Sequence, residues 1–365
     1  MAHQSYLRPM SHIFYLDGCP ILLGDLKAHF PAWLRERGYS HLFLVADTNT
    51  QELCLPCFLE KTSLQEGFSI EVMPAGERFK NLDTCQRIWL SMLDARLDRR
   101  ALVINLGGGV VGDLGGFCAA TWKRGVDFVQ VPTTLLAMTD AAIGGKLGID
   151  FQGVKNTLGV FQNPAAVFVD PAFLKTLPER ELRSGLAEII KHALIGAPSL
   201  LGKIMAECVG VTASDALSGD DGWAGVLHAS IAVKVRVVQD DPIEKGVRAL
   251  LNFGHTIGHA LESYFLDTAE PLTHGEAIAI GMICESRMGG AVNLEDIIAV
   301  NKCFFTHRYI PASAFSALWD LMRQDKKNAA GVVRMTLPGD EPFSMRVVEV
   351  RREMMEEGLA FYNSI

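Results

Sequence analysis

The sequence predicts an α/β domain followed by an all-α domain. In the first half, short β-branched and aromatic runs alternate with stretches of helical spacing, which is typical of a mostly parallel sheet covered by helices. In the second half the apolar spacing is mainly helical. Proline cannot continue a hydrogen-bonded element, so Thr176-Leu177-Pro178 is the expected boundary, with domains at 1–177 and 178–365.

The elements follow from local pattern. Predicted strands, each ended by turn residues or by the next element, are Leu42–Val45, Phe68–Val72, Ala101–Leu106, Phe128–Val131 and Val167–Val169. Predicted helices, with apolar residues three or four positions apart, are Leu82–Leu97, Leu182–Leu194, Val226–Val238, His255–Phe265, Glu276–Met288 and Leu294–Phe305.

Composition excludes several classes of protein. Of the 365 residues, 49% are hydrophobic and 21% charged, which excludes a disordered or fibrous chain. No apolar run approaches the roughly 18 residues of a spanning helix, and the first residues lack the pattern of a secretory signal, so we expect no membrane partner. The net charge of −8 argues against a nucleic-acid partner, although local basic clusters remain compatible with an anionic ligand.

The eight cysteines favour a cytoplasmic protein. They are scattered through a long chain, whereas disulfide frameworks belong to small secreted domains, so we expect reduced thiols. Cys54 and Cys57 form a lone C-x-x-C without the second pair of a zinc ribbon. We interpret them as half-buried thiols at a helix start, with a redox pair as the alternative.

A glycine-rich segment, Asn105–Gly116, directly follows a predicted strand and precedes an apparent helix. The pattern G-x-G-x-x-G is met by Gly107, Gly109 and Gly112. Such a loop lets the backbone approach a pyrophosphate, so it predicts a dinucleotide site, with a tight turn beside a packed helix as the alternative. Asp47 ends an earlier strand, where a carboxylate suits ribose hydroxyls, and Thr133 and Thr134 end a later one. An acid upstream of the loop departs from the usual Rossmann order.

Three segments offer metal ligands. Glu188 lies in L-A-E-I-I-K-H, His255 and His259 lie in N-F-G-H-T-I-G-H, and His274 lies in L-T-H-G-E. One carboxylate with two imidazoles is a common catalytic zinc shell that leaves a position for a substrate oxygen. Spacing alone nominates His255 and His259, because residues i and i+4 share a helix face. The pattern predicts a metal site and leaves open which two histidines bind.

Basic residues recur near the glycine loops and the histidine segments. They are Arg124, Lys146, Lys155, Lys191, Lys234 and Arg248. As a set in an acidic protein they predict a pocket for a phosphorylated or carboxylated substrate. An anion site, a dinucleotide and a Lewis-acid metal together indicate redox chemistry on an anionic, sugar-like alcohol or ketone.

In combination these motifs resemble the 3-dehydroquinate synthase family of sugar-phosphate cyclases. The matching blocks include A-G-E-R-F-K (75–80), G-G-G-V-V-G-D (107–113), R-G-V-D-F-V-Q-V-P-T-T-L-L-A (124–137), D-A-A-I-G-G-K (140–146), T-L-P-E-R-E-L-R-S-G-L-A-E-I-I-K-H (176–192), R-A-L-L-N-F-G-H-T-I-G-H-A-L-E (248–262) and H-G-E-A-I-A-I-G-M (274–282). Their joint occurrence is far more specific than the glycine loop. The resemblance implies a Rossmann-like N-terminal domain that binds NAD and an all-α C-terminal domain that binds metal and substrate, with the site between them.

The resemblance also implies residue roles. Metal ligands would be Glu188, His255 and His274, binding Zn²⁺, Co²⁺ or another divalent cation, and His259 would face the substrate instead. Substrate positions match Asp140, Lys146, Asn156, Lys191, Lys234, Arg248, Asn252 and His259. Arg124 matches a residue that reaches the phosphate and can come from the partner in a homodimer. NAD contacts match Asp47, Glu77, Lys80, Gly109, Val110, Val111, Gly112, Asp113, Thr133, Thr134, Lys146, Lys155, Phe173, Leu174, Lys175 and Thr176.

The implied reaction converts 3-deoxy-D-arabino-heptulosonate 7-phosphate to 3-dehydroquinate and phosphate, the second step of the shikimate pathway to aromatic amino acids. Alternatives are a cyclase acting on sedoheptulose 7-phosphate, a metal-dependent NAD alcohol dehydrogenase and a non-enzymatic dinucleotide-binding regulator. Asn252 and the pair Lys326 and Lys327 favour a substrate that carries a carboxylate. After Gly331 the match fades, so the packing of the C-terminal segment is not predicted.

Overall fold

The computed structural model describes residues 12–152, 154–207, 222–244, 246–324, 332–339, 341 and 344–365. The chain divides into two compact units, Met1–Leu177 and Pro178–Ile365. Cys208, Lys326 and Lys327 lie outside the described residues. Among the helices that are described, none is both long and apolar enough to cross a membrane.

The first unit is built on a seven-stranded sheet. Its strands are β1 (His12–Leu16), β2 (Cys19–Leu23), β3 (Leu42–Asp47), β4 (Phe68–Met73), β5 (Leu102–Gly107), β6 (Asp127–Pro132) and β9 (Ala166–Val169). Their order in the sheet is β1-β2-β9-β6-β5-β3-β4, and all neighbouring pairs are parallel except β1 and β2. A separate antiparallel hairpin joins β7 (Lys146–Phe151) to β8 (Val154–Phe161).

Helices and short turns connect these strands. The helices are α1 (Leu26–Arg35), α2 (Thr48–Leu53), α3 (Leu55–Thr62), α4 (Leu82–Asp94) and α5 (Gly109–Thr121). Every residue of β5 is buried, as a parallel strand covered on both faces should be. Val103 of β5, Ile88 of α4 and Leu114 of α5 belong to one apolar core, which fixes the strand end where α5 begins.

The second unit is mainly helical. Its helices are α6 (Glu179–Gly196), α7 (Pro198–Glu207), α8 (Gly222–Asp240), α9 (His255–Phe265), α10 (His274–Gly289), α11 (Leu294–Phe304), α12 (Phe315–Gln324) and α13 (Arg352–Asn363). A hairpin of β10 (Val333–Pro338) and β11 (Met345–Val350) lies between the last two helices in the chain.

The centre of this unit is α10, which packs against α6, α9, α11 and α13. It is buried along most of its length, including the polar residues Glu285 and Ser286. Thr273 and Glu276 form a capping box at its start, and Gly290, with φ of 73°, ends it in the left-handed region. The capping box fixes where the helix begins, and therefore where His274 lies.

The predicted fold class is confirmed: the first unit is α/β with a mostly parallel sheet, and the second is helical. Each predicted strand and helix coincides with an observed element to within a few residues. The hairpin of β10 and β11 is an addition, in the segment where the motif match fades. The C-x-x-C segment lies at a helix start as predicted, with Cys54 at the N-cap of α3 and Cys57 half-buried in its first turn, but Cys54 is buried and not half-buried.

Candidate active site

Three side chains from three helices converge in the second unit. Glu188 lies in α6, and His255 and His274 are the first residues of α9 and α10. Oε1 of Glu188 lies 3.4 Å from Nε2 of His255 and 3.5 Å from Nε2 of His274. One ligand atom from each residue lies within 4.8 Å of the other two. The geometry therefore brings together the trio that the family resemblance implies.

Glycines allow the histidine-bearing helices to approach their neighbours. A Cβ on Gly275 would lie 2.2 Å from the carbonyl oxygen of Ser184 in α6, so only glycine fits next to His274. A Cβ on Gly281 would lie 2.0 Å from the carbonyl oxygen of Gly254, which precedes His255. The glycines beside the histidines are thus explained by close helix packing, not by contact with a ligand.

Each imidazole is oriented through its other nitrogen. Nδ1 of His255 lies 3.0 Å from the carbonyl oxygen of Phe253, and Nδ1 of His274 lies 3.2 Å from Oε2 of Glu262. Both Nε2 atoms are thereby directed at the same carboxylate oxygen of Glu188. Metal-binding histidines characteristically have such an acceptor on the second nitrogen.

The trio creates a strongly negative environment. Burial lowers the pKa of His274, but hydrogen bonds donated to the carboxylates of Glu188 and Glu262 outweigh it and raise the pKa to about 10. Glu188 is completely buried, and Lys191 forms an ion pair with its Oε2, which leaves Oε1 directed at the two histidines. One carboxylate and two imidazole nitrogens that converge in such a field fit a divalent cation of the Zn²⁺ or Co²⁺ class.

His259 lies beside the trio. Its ring centroid is 5.1 Å from that of His255 and 5.8 Å from that of His274. It also forms a second group of possible ligands with Glu262 and His274. His259 therefore lies next to the trio, but the structure groups it with Glu262 and His274, whereas helical spacing alone pairs it with His255.

The second unit also contains buried cations. Lys191 is 1% exposed and forms an ion pair with Glu188 one helical turn away. Arg248 is equally buried, and its Nη1 donates to the carbonyl oxygen of Pro242 at 2.6 Å. Lys234 is buried in α8. Amide Nδ2 of Asn252 donates to Oε1 of Glu244 at 3.0 Å. Buried ammonium and guanidinium groups of this kind suit an anionic ligand.

In the first unit the glycine loop joins β5 to α5 with tight packing. A Cβ on Gly107 would lie 2.5 Å from Cβ of Val111, and one on Gly115 would lie 2.0 Å from Oδ1 of Asn105. The N-cap of α5 is Gly108, which has no side chain to accept from the first N–H groups. The start of a 13-residue helix without a side-chain cap is suited to a phosphate group.

Lys80, Asp113 and Asn156 form a second polar cluster, in the first unit. Nζ of Lys80 lies 2.6 Å from Oδ2 of Asp113 and 2.6 Å from Oδ1 of Asn156. Burial raises the pKa of Asp113 to about 6, against the lowering effect of Lys80. The backbone of Asn156 is in the left-handed region, at φ of 49°, which asparagine tolerates better than most residues.

The other predicted residues of this unit are found at strand ends and turns. Asp47 ends β3, and its Oδ1 accepts from the backbone N–H of Thr50 at 2.8 Å, so this carboxylate also caps α2. Thr133 and Thr134 follow β6, and Gly109 to Gly112 form the first turn of α5. Asp140 lies in the turn Ala137–Ala141, and Phe173 to Thr176 end the turn Pro171–Thr176. Lys146 begins β7, and Nζ of Lys155 lies 3.9 Å from Oε1 of Glu77. Arg124 is exposed in the turn Trp122–Arg124.

Sequence reasoning missed two acidic residues near the histidines. Glu262 lies three residues after His259, so the shared helix face was a signal that could have identified it. Glu285 is completely buried in α10 and accepts from the backbone N–H of Gly254 at 2.6 Å. A glutamate within a helix is usually on the surface, so the sequence carried no comparable signal for it.

Comparisons with known proteins agree with the motifs. The family model described as 3-dehydroquinate synthase N-terminal matches residues 70–184, and the model described as 3-dehydroquinate synthase C-terminal matches residues 185–328. The chain is similar to the solved structure of ValA, a 2-epi-5-epi-valiolone synthase from Streptomyces hygroscopicus with NAD⁺ and Zn²⁺ bound. The TM-score is 0.83 at 26% identity, covering 97% of this chain and 99% of ValA. A glycerol dehydrogenase of Schizosaccharomyces pombe shares the fold, with a TM-score of 0.63 at 14% identity over 94% of this chain and 88% of that one.

Two relatives are named 3-dehydroquinate synthase. The protein of Parabacteroides distasonis is 36% identical over 351 residues, which cover 94% of this chain and 97% of the relative. That of a Synechococcus species is 42% identical over 293 residues, which cover 76% of this chain and 77% of the relative. The two family models together match residues 70–328, and the similarity to the Parabacteroides distasonis protein covers 94% of this chain. This chain therefore belongs to the 3-dehydroquinate synthase family.

Proposed function

We propose that this chain converts 3-deoxy-D-arabino-heptulosonate 7-phosphate to 3-dehydroquinate and phosphate, with NAD and a divalent metal ion as cofactors. The observation that carries the proposal is the convergence of Glu188, His255 and His274, which supplies one carboxylate oxygen and two imidazole nitrogens at a single point. Membership of the family and the NAD⁺ and Zn²⁺ in the related ValA structure support it.

The cofactors would supply chemistry that side chains lack: NAD accepts and returns a hydride, and the metal ion acts as a Lewis acid. Glu188, His255 and His274 would hold the ion. The start of α5, together with Lys80 and Asp113, would bind NAD. Since the hydride is returned in the same turnover, we expect no net reduction of NAD.

The remaining residues of the second unit would bind and orient the substrate. Lys191, Lys234 and Arg248 are buried cations that suit its carboxylate and phosphate, and burial strengthens such contacts because water does not screen them. His259 lies next to the trio, where its imidazole would hold a proton at a substrate hydroxyl. Holding one conformer of a flexible sugar acid is itself a large contribution to rate.

Oxidation at C5 makes the hydrogen on C6 acidic, and this prepares loss of phosphate. The C6 proton passes to a phosphate oxygen as the C7–O bond breaks and a C6–C7 double bond forms, so no protein base is required for this step. Asp140, Lys146, Asn156 and Arg124 are the first-unit residues that we assign to the substrate, and the cationic groups would stabilise the departing phosphate. Once C5 has been reduced back to the alcohol, ring opening and an intramolecular aldol closure give the carbocycle.

The test is release of inorganic phosphate from 3-deoxy-D-arabino-heptulosonate 7-phosphate by the purified chain with NAD. We expect release that a chelator abolishes, that added Zn²⁺ or Co²⁺ restores, and that Glu188→Gln lowers by at least about 100-fold. A matched control is Glu179→Gln, which changes a carboxylate on the same helix in a surface ion pair with Arg183. Chelator-resistant release at an unchanged rate would contradict the metal assignment.

Two further arms separate the alternatives. Sedoheptulose 7-phosphate lacks the carboxylate, so faster phosphate release from it would identify the other cyclase activity. Absorbance at the NADH band would rise continuously for an alcohol dehydrogenase and stay constant for a cyclase. NAD binding without turnover of either sugar phosphate would instead identify a regulator.

We also propose a homodimer in which Arg124 serves the partner's site. Arg124 is exposed at the surface of the first unit, in a turn where its own backbone has φ of 71°. Coexpression of Arg124→Ala with Glu188→Gln tests this arrangement, because a mixed dimer would contain one complete site. Phosphate release well above that of either variant alone supports action across the dimer.

We also propose that the protein is located in the cytoplasm. The seven described cysteines are free, which is consistent with that location.

A further inference from the structure

We propose that Glu262 is a positioning residue that sets the tautomer of His274 and so makes this histidine a metal ligand through Nε2. The inference rests on the metal site of the proposed function and adds a residue to it. Oε2 of Glu262 lies 3.2 Å from Nδ1 of His274, while Nε2 of the same ring lies 3.5 Å from Oε1 of Glu188. His274 therefore has a carboxylate at each of its two nitrogens.

The tautomer follows from proton count. A neutral imidazole has one N–H, and only the other nitrogen has a lone pair for a metal ion. When a cation occupies the point shared by Glu188 and the two histidines, the N–H must be on Nδ1. Glu262 is the acceptor at that nitrogen, and a carboxylate there also makes the ring a stronger electron-pair donor. Without it, the proton is free to occupy Nε2 and block the ligand position.

Helix α9 explains why Glu262 lies there. His255, His259 and Glu262 are at positions i, i+4 and i+7, so one helix face presents all three toward the start of α10. His255 has an equivalent acceptor on Nδ1, the carbonyl oxygen of Phe253 at 3.0 Å. The backbone thus orients one histidine and a side chain orients the other, and only the second arrangement is open to mutation.

A competing role is that Glu262 itself binds the metal, together with His259 and His274. The contacts favour the positioning role. Both Nε2 atoms, of His255 and of His274, are directed at Oε1 of Glu188, and both Nδ1 atoms are occupied by acceptors. Metal at the other group would use Nδ1 of His274 and leave Nε2 of both rings aimed away from it. The two roles make opposite predictions for Glu188 and Glu262 variants.

The experiment measures metal binding by the full chain without substrate or NAD. Apoprotein from chelator dialysis is titrated with Zn²⁺ in competition with a chromophoric chelator, and with Co²⁺ to record the visible absorption bands. The variants are Glu262→Gln, Glu262→Ala and Glu188→Gln, with Glu179→Gln as the surface control. Thermal unfolding of each apoprotein shows whether the fold is retained.

For Glu262→Gln we expect about 10- to 100-fold weaker metal binding, one ion per chain, Co²⁺ bands of unchanged shape and little change in apoprotein stability. Glu262→Ala should weaken binding further, because the glutamine carbonyl still accepts from Nδ1. Glu188→Gln should change the Co²⁺ bands. Unchanged affinity in Glu262→Ala would overturn the proposal, and so would loss of binding in Glu262→Gln with normal binding in Glu188→Gln. Phosphate release is assayed separately, so a chain that binds metal in this way but releases no phosphate rejects the proposed function and not the role of Glu262.

Discussion

The carboxylate of Glu285 accepts a hydrogen bond of 2.6 Å from the backbone N–H of Gly254, linking α10 to the start of α9. Its second oxygen accepts from the N–H of Ile257 at 3.2 Å. The N-cap of α9 is glycine, so no local side chain satisfies these donors. Glu285 therefore caps the start of α9 from a neighbouring helix, in the role that an aspartate or serine has at an ordinary N-cap. The cap lies next to His255.

Replacing Glu285 with glutamine should destabilise the second unit. The amide has one acceptor oxygen, so one of the two buried N–H groups loses its partner, and the remaining bond loses its charge. We expect a loss of about 1.5–3 kcal/mol in the free energy of unfolding of the metal-free chain, measured by urea denaturation. Glu270→Gln, at an ion pair with Arg308 whose carboxylate side is 75% exposed, should cost less than about 1 kcal/mol. Equal effects of the two substitutions would show that the buried cap is unimportant.

Gly281→Ala should separate α9 from α10. The added Cβ would lie 2.0 Å from the carbonyl oxygen of Gly254, and a backbone atom is not free to move aside. We expect a loss of about 1–3 kcal/mol in stability and weaker metal binding, since His255 directly follows Gly254. Gly202→Ala in α7 is the matched control, because its Cβ would meet nothing within 4 Å and alanine favours the helix. Thermal unfolding of both variants and metal titration provide the comparison.

Much of this architecture was predictable from local pattern. The strands of the sheet core are short and buried, and the helix His255–Phe265 was predicted with its observed bounds, because these segments have strong periodicity or strong end signals. The hairpin of β7 and β8 was missed, since its glycines and lysines suggested a ligand loop rather than strands. Pairing between strands depends on partners that local pattern does not identify.

The sequence predicts those parts of the candidate site in which the chemistry allows only a few residue types. Residue type nominated Glu188 with two of His255, His259 and His274, because metal ligands come from a short list of side chains. The choice of His255 and His274 came from the family resemblance. Their convergence, and the grouping of His259 with Glu262, depends on how α6, α9 and α10 pack, which spacing along one helix does not contain. Asp47 shows what the sequence does not reveal about a single residue. The sequence predicts its position at a strand end, but only the structure shows that its carboxylate caps α2.

His274 and His259 should respond differently to alanine substitution, because the resemblance assigns His274 to the metal and helical spacing alone nominates His259. His274→Ala removes a nitrogen that faces Glu188, so we expect the chain to lose metal at equimolar Zn²⁺ and to lose phosphate release with it. His259→Ala should retain one metal ion per chain and lower phosphate release by about 10²–10⁴-fold, as loss of a proton-transfer group does. Metal content after gel filtration measures the difference. Loss of the ion from His259→Ala alone would restore the assignment based on helical spacing.

Stability should also depend on pH through Asp113. Burial raises its pKa from 3.8 to about 6 in the folded chain, so the folded state binds a proton more tightly than the unfolded state does. The free energy of unfolding therefore falls as pH rises from about 4 to about 6, and this contribution is constant outside that window. A shift of this size corresponds to about 3 kcal/mol. Lys80 stays protonated throughout, because Asp113 and Glu77 outweigh the effect of burial and raise its pKa.

Asp113→Asn isolates this effect. The stability of the NAD-free wild type relative to the variant should decline between pH 4 and 6 and then stay level to pH 8, as measured by urea unfolding at each pH. Asp25→Asn is the control, because Lys61 and the backbone N–H of Lys27 overcome burial and lower the pKa of Asp25, so its titration lies below the window. A difference between wild type and Asp113→Asn that is flat from pH 4 to 8 would mean that the Asp113 carboxylate is already ionised at pH 4, held by Lys80 and Asn156 in a charged network.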